Sequence, residues 1–228
     1  MSQAYELETF YKAIGNLYPQ HGEDFFLIAL THETANAMIG ENYEQLEFLG
    51  DAVLSTVISE YLFTHFPQKN EGELSKLRAY IVCRKQLNSV AKEIGIKSFI
   101  RHKFDDKMFR QVKDIGGDVV EAVIGAFFLD GGLDAAKKFI YKWIIPENKI
   151  ENFLHNYKNP KSVLLEWAQR KNKRLEFRWL NPNIQNPNEF KIHIYLDNRP
   201  YGLGSGNSKK AAERNAAAIT LDMLNPHT

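Results

Sequence analysis

The 228-residue chain contains one cysteine, Cys83, so it can form no internal disulfide and no zinc site built from several cysteines. Its apolar runs are too short to cross a membrane. The first residues, MSQAYELETF, lack the basic segment and apolar core of a secretory signal. These absences predict a cytoplasmic protein with no membrane partner.

Basic residues are missing from two long stretches. No Lys or Arg lies between Lys12 and Lys69, an interval that holds eight carboxylates, and none lies in residues 115–136. Residues 1–158 carry 18 basic and 22 acidic side chains, a net charge of −4, whereas the remainder carries 11 and 6, a net charge of +5. An acidic first part joined to a basic second part predicts that the two parts have different tasks.

The first part, to about residue 150, is predicted to be a bundle of helices. Its apolar residues recur at intervals of three and four, as in Leu49, Val53, Val57 and Tyr61. The pair Gly131–Gly132 marks a break in one helix.

From Asn159 the pattern changes to helix, three strands, helix. The segments in order are PKSVLLEWAQRKNK, LEFRWL, FKIHIYL, PYGLGSG and SKKAAERNAAAITLDML. The fold class is therefore an all-α domain over residues 1–152, followed by a small α+β (α-β-β-β-α) domain over residues 159–228 with both helices on one face of an antiparallel sheet. The inner face of the last helix is expected to carry Ala212, Ala216, Ile219 and Met223.

Carboxylates interrupt two of the most apolar stretches. LEFLGDAVL holds Glu47 and Asp51 four residues apart, and Glu44 extends the same helical stripe. GGDVVEAVIGAFFLDGG places Asp118 and Glu121 three residues apart. Like charges at these spacings destabilise a helix. Both pairs therefore require an explanation.

Facing one another, the two helices would form an oxygen-only cluster with excess negative charge, which suits Mg²⁺ or Mn²⁺ better than Zn²⁺. Alternatively, each pair lies on an ordinary solvated helix face, or a basic side chain from elsewhere in the fold neutralises it. Residues beside the acids that look like core favour the cluster: Leu46, Phe48, Leu49, Val119, Val120 and Val123. Periodicity alone does not decide between these readings.

The basic part contains a helix start suited to an anion. In GLGSGNSKKAAERNAA, Asn207 or Ser208 is the expected N-cap, and Lys209 and Lys210 follow at once. Free backbone N–H groups, the helix dipole and two ammonium groups together favour a phosphate. The alternative is a solvated pair of surface lysines.

Three motifs of the first part, EQLEFLGDAVL, NEGELSKLRA and DVVEAVIGAFFLDGG, closely resemble the ribonuclease III family. PKSVLLEWAQR and GLGSGNSKKAAERNAA resemble the double-stranded-RNA-binding domain that follows the nuclease domain in bacterial members. The resemblance implies a homodimeric, cytoplasmic endonuclease that hydrolyses double-stranded RNA without a nucleotide cofactor. It also implies short 3′ overhangs with 5′-phosphate and 3′-hydroxyl ends, and ribosomal RNA precursors and structured RNAs as substrates.

The same resemblance assigns roles to individual residues. The metal-binding carboxylates fall on Glu47, Asp118 and Glu121, with Mg²⁺ as the expected ion and Mn²⁺ as a substitute. Asp51 matches a further catalytic acid of the family, so Asp51 and Glu121 are the expected catalytic residues. Glu44 and Glu71 match acidic positions near the dimer valley. The expected RNA contacts are Lys161, Glu166, Asn207, Ser208, Lys209 and Lys210.

The chain departs from the family pattern at several positions. Tyr43 and Gln45 replace the Asn and Arg of the usual Asn-Glu-Arg, and Gly117 replaces an Ala. In the RNA-binding part, Leu165 replaces a Gln, and the loop NPNIQNPN lacks the usual His; the side chains that could donate instead are Gln185, Asn186 and Asn188.

Some relatives on this fold have lost catalytic acids and serve as non-catalytic RNA-binding or scaffold proteins. Retention of Glu47, Asp51, Asp118 and Glu121 favours the enzyme over that alternative.

Overall fold

The computed structural model describes residues 3–224 apart from 36–37, 39, 113–114 and 181–188. The chain divides into two compact units, Met1–Tyr157 and Lys158–Thr228. The domain boundaries at residues 152 and 159 stay predictions.

The first unit is helical, as the sequence predicts. A single turn of 3-10 helix, Ile96–Phe99, follows the fifth helix. The α-helices that the structure describes in this unit are α1 (Gln3–Ala13), α2 (Asp24–Ala29), α3 (Glu44–His65), α4 (Glu71–Ile81), α5 (Arg84–Ile94), α6 (Asp106–Gln111), α7 (Ile115–Trp143) and α8 (Glu147–Asn156).

Helices α3 and α7 pack backbone against backbone at two glycines. A Cβ atom on Gly50 of α3 would overlap the carbonyl oxygen of Glu121, and one on Gly125 of α7 would overlap the carbonyl oxygen of Leu46. Only glycine permits this approach, because every other residue carries a Cβ. The contact therefore fixes the turn of α3 that holds Glu47 against the turn of α7 that holds Glu121.

The residues beside the acids are mostly core, as the sequence predicts. Leu46, Val119, Val120 and Val123 are buried, and Leu49 is partly buried against the same core. Phe48 is the exception: its side chain is 82% exposed, so its assignment to the core is wrong. Phe48 lies on the solvent side of α3 because Leu46, Gly50 and Val53 already face α7 and the core.

Helix α7 breaks at the glycine pair. Gly132 has a φ of 70°, a left-handed conformation that favours glycine. Just before the break, the buried Asp130 accepts hydrogen bonds from the backbone N–H groups of Gln20 (2.6 Å), His21 (2.8 Å) and Gly22 (3.3 Å). These bonds tie the segment before α2 to α7 and satisfy the charge of this carboxylate.

The second unit has the predicted order of elements. These elements are α9 (Pro160–Arg170), β1 (Leu175–Trp179), β2 (Phe190–Leu196), β3 (Arg199–Gly206) and α10 (Lys209–Leu224). The strands form an antiparallel sheet in the order β1-β2-β3. Phe177 pairs with Ile194 and His193 with Leu203. The turn between β2 and β3 uses Asp197 and Asn198 at positive φ, as a two-residue hairpin requires.

Glycines on β3 lie against alanines on α10. A Cβ atom on Gly204 would overlap the backbone of Ala216 and Ala212. The inner face of α10 is therefore made of small side chains, with Ala217 and Thr220 also buried. The assignment of Ile219 and Met223 to this face is wrong, since they are 43% and 56% exposed.

Candidate functional site

The acidic side chains come from the first two turns of two helices. Glu47 lies in the first turn of α3 and Asp118 in the first turn of α7, and Glu121 follows Asp118 by almost one turn. Carboxylates are favoured at helix N-termini by the helix dipole. A hydrogen bond from the Gly117 N–H to the Asn88 Oδ1 (2.9 Å) ties the start of α7 to α5.

Glu47, Asp118 and Glu121 converge. Each offers one carboxylate oxygen, and these three oxygens lie within 4.8 Å of one another. All three side chains are half-buried. An ion held at about 2.1 Å from each oxygen needs separations of at most about 4.2 Å, so small side-chain movements complete such a site. This oxygen-only donor set fits a hard divalent cation.

The electrostatics of the cluster favour a bound cation. Burial raises the pKa of Glu121 from 4.5 to about 8, and the charges of Asp51, Glu47 and Asp118 add to the shift. Burial followed by the charge of Asp118 also raises the pKa of Glu47. The three carboxylates therefore resist being charged together unless a proton or a metal ion offsets the repulsion.

The other predicted acids lie outside this group of three. Asp51 is exposed one turn along α3, yet among the neighbouring charges it contributes most to the raised pKa of Glu121. Glu44 is exposed at the start of α3. Glu71 begins α4, and its carboxylate accepts a hydrogen bond from the Ser75 Oγ (2.8 Å).

Sequence reasoning missed two neighbours of the cluster. Arg84, the first residue of α5, places a guanidinium nitrogen 3.3 Å from the Asp118 Oδ1, so a basic side chain from elsewhere in the fold does reach one of the acids. Tyr43 precedes α3, and burial, with the charges of Asp118 and Glu47, raises its pKa to about 12. Tyr43 lies four residues before Glu47, one helical turn away, and this spacing could have indicated that it neighbours the cluster. No spacing rule connects residue 84 with residue 118.

The start of α10 has the geometry expected of an anion-binding helix end. The Ser208 Oγ accepts a hydrogen bond from the Ala211 N–H (3.2 Å), which identifies Ser208 rather than Asn207 as the N-cap. The Lys209 ammonium lies 5.8 Å from the ring centroid of Trp179, and Lys210 is exposed. This end of the helix therefore presents two ammonium groups to solvent.

Of the remaining predicted RNA contacts, Asn207 is exposed just before the Ser208 N-cap, and Lys161 and Glu166 lie on α9. The Lys161 ammonium forms an ion pair with Glu213 of α10 (2.7 Å), so its charge is already partly engaged. Glu166 and Leu165 are exposed on α9. The predicted donors Gln185, Asn186 and Asn188 lie outside the described residues.

No helix in the described part of the chain combines the length and the apolar character that crossing a membrane requires.

The first unit is thus a helical domain with an acidic, metal-suited cluster, and the second has an α-β-β-β-α fold with a basic helix end. A family model for Ribonuclease-III-like proteins matches residues 23–148, and one for the double-stranded RNA binding motif matches residues 160–224. Together they define a nuclease domain followed by a double-stranded-RNA-binding domain.

Known proteins are similar along most of the chain. Ribonuclease 3 of Clostridium beijerinckii is 34% identical over 230 residues, which cover 96% of this chain and 97% of that protein. Ribonuclease 3 of Bacillus velezensis is 39% identical over 191 residues, covering 82% and 76%. The solved nuclease domain of ribonuclease III from Campylobacter jejuni, 34% identical, superposes with a TM-score of 0.55 over 60% of this chain and 95% of that chain.

The chain belongs to the ribonuclease III family. It is an endoribonuclease specific for double-stranded RNA, and the resemblance of its motifs to this family is confirmed.

The raised pKa of Glu121 predicts how the stability of the metal-free protein depends on pH. Because the folded state holds this proton up to about pH 8 and the unfolded state only to about 4.5, stability falls as pH rises through that window. Glu121→Gln removes this contribution. We expect its free energy of unfolding in EDTA to gain on that of the wild type between about pH 5.5 and about pH 8.5.

Urea unfolding at both pH values measures this gain, with Glu8→Gln, an exposed glutamate on α1, as the control. A gain no larger than that of the control would contradict the assignment.

Proposed function

We propose that this ribonuclease III hydrolyses phosphodiesters with a divalent metal ion, Mg²⁺ or in its place Mn²⁺, held by Glu47, Asp118 and Glu121. The observation that carries the proposal is the convergence of three carboxylate oxygens within 4.8 Å at a half-buried site. Family membership supports the RNA substrate. The chemistry of the donor set supports the metal.

The side chains divide the work according to their positions. Glu47, Asp118 and Glu121 would hold the ion between α3 and α7. A bound ion would supply activation of a water molecule and compensation for the negative charge that develops on the phosphoryl oxygens. Asp51 stands at the exposed edge of the cluster, where its carboxylate can accept a hydrogen bond from the attacking water. Glu121 and Asp51 are thus the proposed catalytic acids.

The second domain supplies attraction for the RNA duplex. The ammonium groups of Lys209 and Lys210, beside the start of α10, are placed to contact backbone phosphates across a major groove. The exposed face of α9, with Glu166, is proposed to lie along a minor groove, with Lys161, Asn207 and Ser208 as further contacts. Phosphate contacts of this kind select duplex geometry rather than base sequence.

We propose that the enzyme acts as a homodimer through the exposed face of α3. Phe48 and Phe63 are 82% and 75% exposed at opposite ends of this helix, about 22 Å apart at 1.5 Å per residue. Beside Phe63 lies a cavity of about 640 Å³ that is also lined by Leu74 and Glu71. A twofold axis across α3 would insert each Phe48 into the partner's cavity and bring Glu71 to the interface.

The products proposed are duplexes with short 3′ overhangs, 5′-phosphates and 3′-hydroxyls. The proposed substrates are ribosomal RNA precursors and structured RNAs of the cytoplasm. Glu44, exposed near the cluster-bearing turn of α3, is a further acid of the proposed dimer valley.

The first test separates cleavage from binding. Glu121→Gln removes one charge from the cluster and leaves the RNA-binding domain unchanged, so cleavage of a duplex in Mg²⁺ should fall by about 10²–10³-fold. Duplex affinity in EDTA should change less than twofold. Glu8→Gln serves as the matched control, and EDTA should abolish wild-type cleavage. Wild-type turnover by Glu121→Gln, or cleavage in EDTA, would contradict the proposed mechanism.

The second test concerns the basic helix end. Lys209→Ala combined with Lys210→Ala should weaken binding to all duplex sequences similarly and reduce the slope of log affinity against log salt by about two. The control, Lys173→Ala combined with Lys191→Ala, removes two charges that are already paired with Asp197 and Glu189. Equal salt slopes for the two double variants would remove Lys209 and Lys210 from the interface.

The third test concerns the dimer. Phe48→Asp places a charge in each of the two proposed cavity contacts and should convert the dimer to a monomer in analytical ultracentrifugation. Met108→Asp changes another exposed apolar side chain, on α6, and should leave the dimer intact. A dimeric Phe48→Asp protein would show that subunits associate through another surface.

A further inference from the structure

Arg84 is positioned to act on the acid cluster as a whole. It begins α5, a helix that carries none of the three acids, and its guanidinium lies 3.3 Å from the Asp118 Oδ1. The Arg84 side chain is 62% exposed, whereas that of Asp118 is 18% exposed. The pair therefore joins a mostly exposed cation to a mostly buried anion.

The charge of Arg84 also reaches the other two acids. Among the influences on Glu47 and Glu121, the guanidinium of Arg84 opposes the upward pKa shift that burial and the neighbouring carboxylates produce. Three ionised carboxylates carry a charge of −3, and Arg84 reduces the sum to −2. In the metal-free protein it thus supplies part of the compensation that a divalent ion would otherwise provide.

We propose that Arg84 is a positioning residue that competes with the metal ion for Asp118 and so lowers the metal affinity of the cluster. The inference rests on the proposed function, because it requires the three acids to hold a divalent ion.

Arg84 has two opposing effects on the metal affinity of the cluster. The larger of the two decides whether Arg84 raises or lowers that affinity. A guanidinium that orients a metal ligand strengthens binding, but this requires a short, well-directed contact, often bidentate. Here the guanidinium nitrogen lies 3.3 Å from the Asp118 oxygen, and the Arg84 side chain is mostly exposed. The repulsion between guanidinium and metal ion needs no particular geometry, because Coulomb energy depends only on distance and medium. Repulsion therefore outweighs orientation.

The chain offers a matched control beside Arg84. Lys85 carries the same charge, occupies the same turn of α5 and is exposed. If only the overall charge near the cluster mattered, Lys85→Ala would act almost as strongly as Arg84→Ala. If the contact with Asp118 matters, Arg84→Ala acts alone.

The experiment titrates the full-length protein with Mn²⁺ in the absence of RNA and follows the loss of the free-ion signal by electron paramagnetic resonance. We expect Arg84→Ala to bind Mn²⁺ about three- to tenfold more tightly than the wild type, the scale expected for one partly exposed charge pair. Arg84→Lys should stay within about twofold of the wild type, as should Lys85→Ala.

A second readout separates competition from a structural role. The Mn²⁺-induced rise in melting temperature should be larger for Arg84→Ala than for the wild type. A variant that was merely less stable would start from a lower melting temperature without binding the ion more tightly.

Unchanged or weaker Mn²⁺ binding by Arg84→Ala overturns the inference and leaves the proposed function intact. If the wild-type protein binds no Mn²⁺, or if Glu121→Gln binds Mn²⁺ as the wild type does, both the inference and the proposed function are overturned.

Discussion

The candidate site depends on how closely α3 and α7 pack. At Gly50 and Gly125 each helix meets the backbone of the other with no room for a Cβ atom. That contact places Glu47 of one helix beside Asp118 and Glu121 of the other at a half-buried position. Burial and mutual repulsion then raise the pKa values of Glu47 and Glu121. Such a cluster fits a divalent cation, whose charge would offset the repulsion among the carboxylates.

Asp130 and Glu121 lie on the same helix, but their charges are compensated in different ways. Asp130 is more deeply buried than Glu121, yet three backbone N–H groups donate to it and satisfy its charge. In the cluster, by contrast, a mostly exposed arginine contributes to the compensation. The bonds to Asp130 hold the segment before α2 in place. The acid cluster keeps excess negative charge that a bound cation would offset.

Much of this could be predicted from the sequence, because the signals are local. Apolar periodicity and strand alternation gave the helical unit, the three strands and the break at the glycine pair. Carboxylates on apolar helices indicated two groups of acids, and the resemblance to the family selected Glu47, Asp118 and Glu121 from them as metal ligands. The errors arose where tertiary packing decides which side of a helix is buried. Phe48 is apolar but faces solvent. Ile219 and Met223 are exposed because the glycines of β3 bring the strand so close to α10 that only small side chains fit between them. Arg84 was missed because α5 brings it to Asp118 from a distant part of the chain.

The central claim is that one divalent ion lies among Glu47, Asp118 and Glu121. Anomalous diffraction from a crystal grown with Mn²⁺ measures this directly. The account predicts a peak within about 2.0–2.3 Å of one oxygen from each of the three carboxylates. No peak at the cluster, with Arg84 still paired to Asp118 at saturating Mn²⁺, would contradict it.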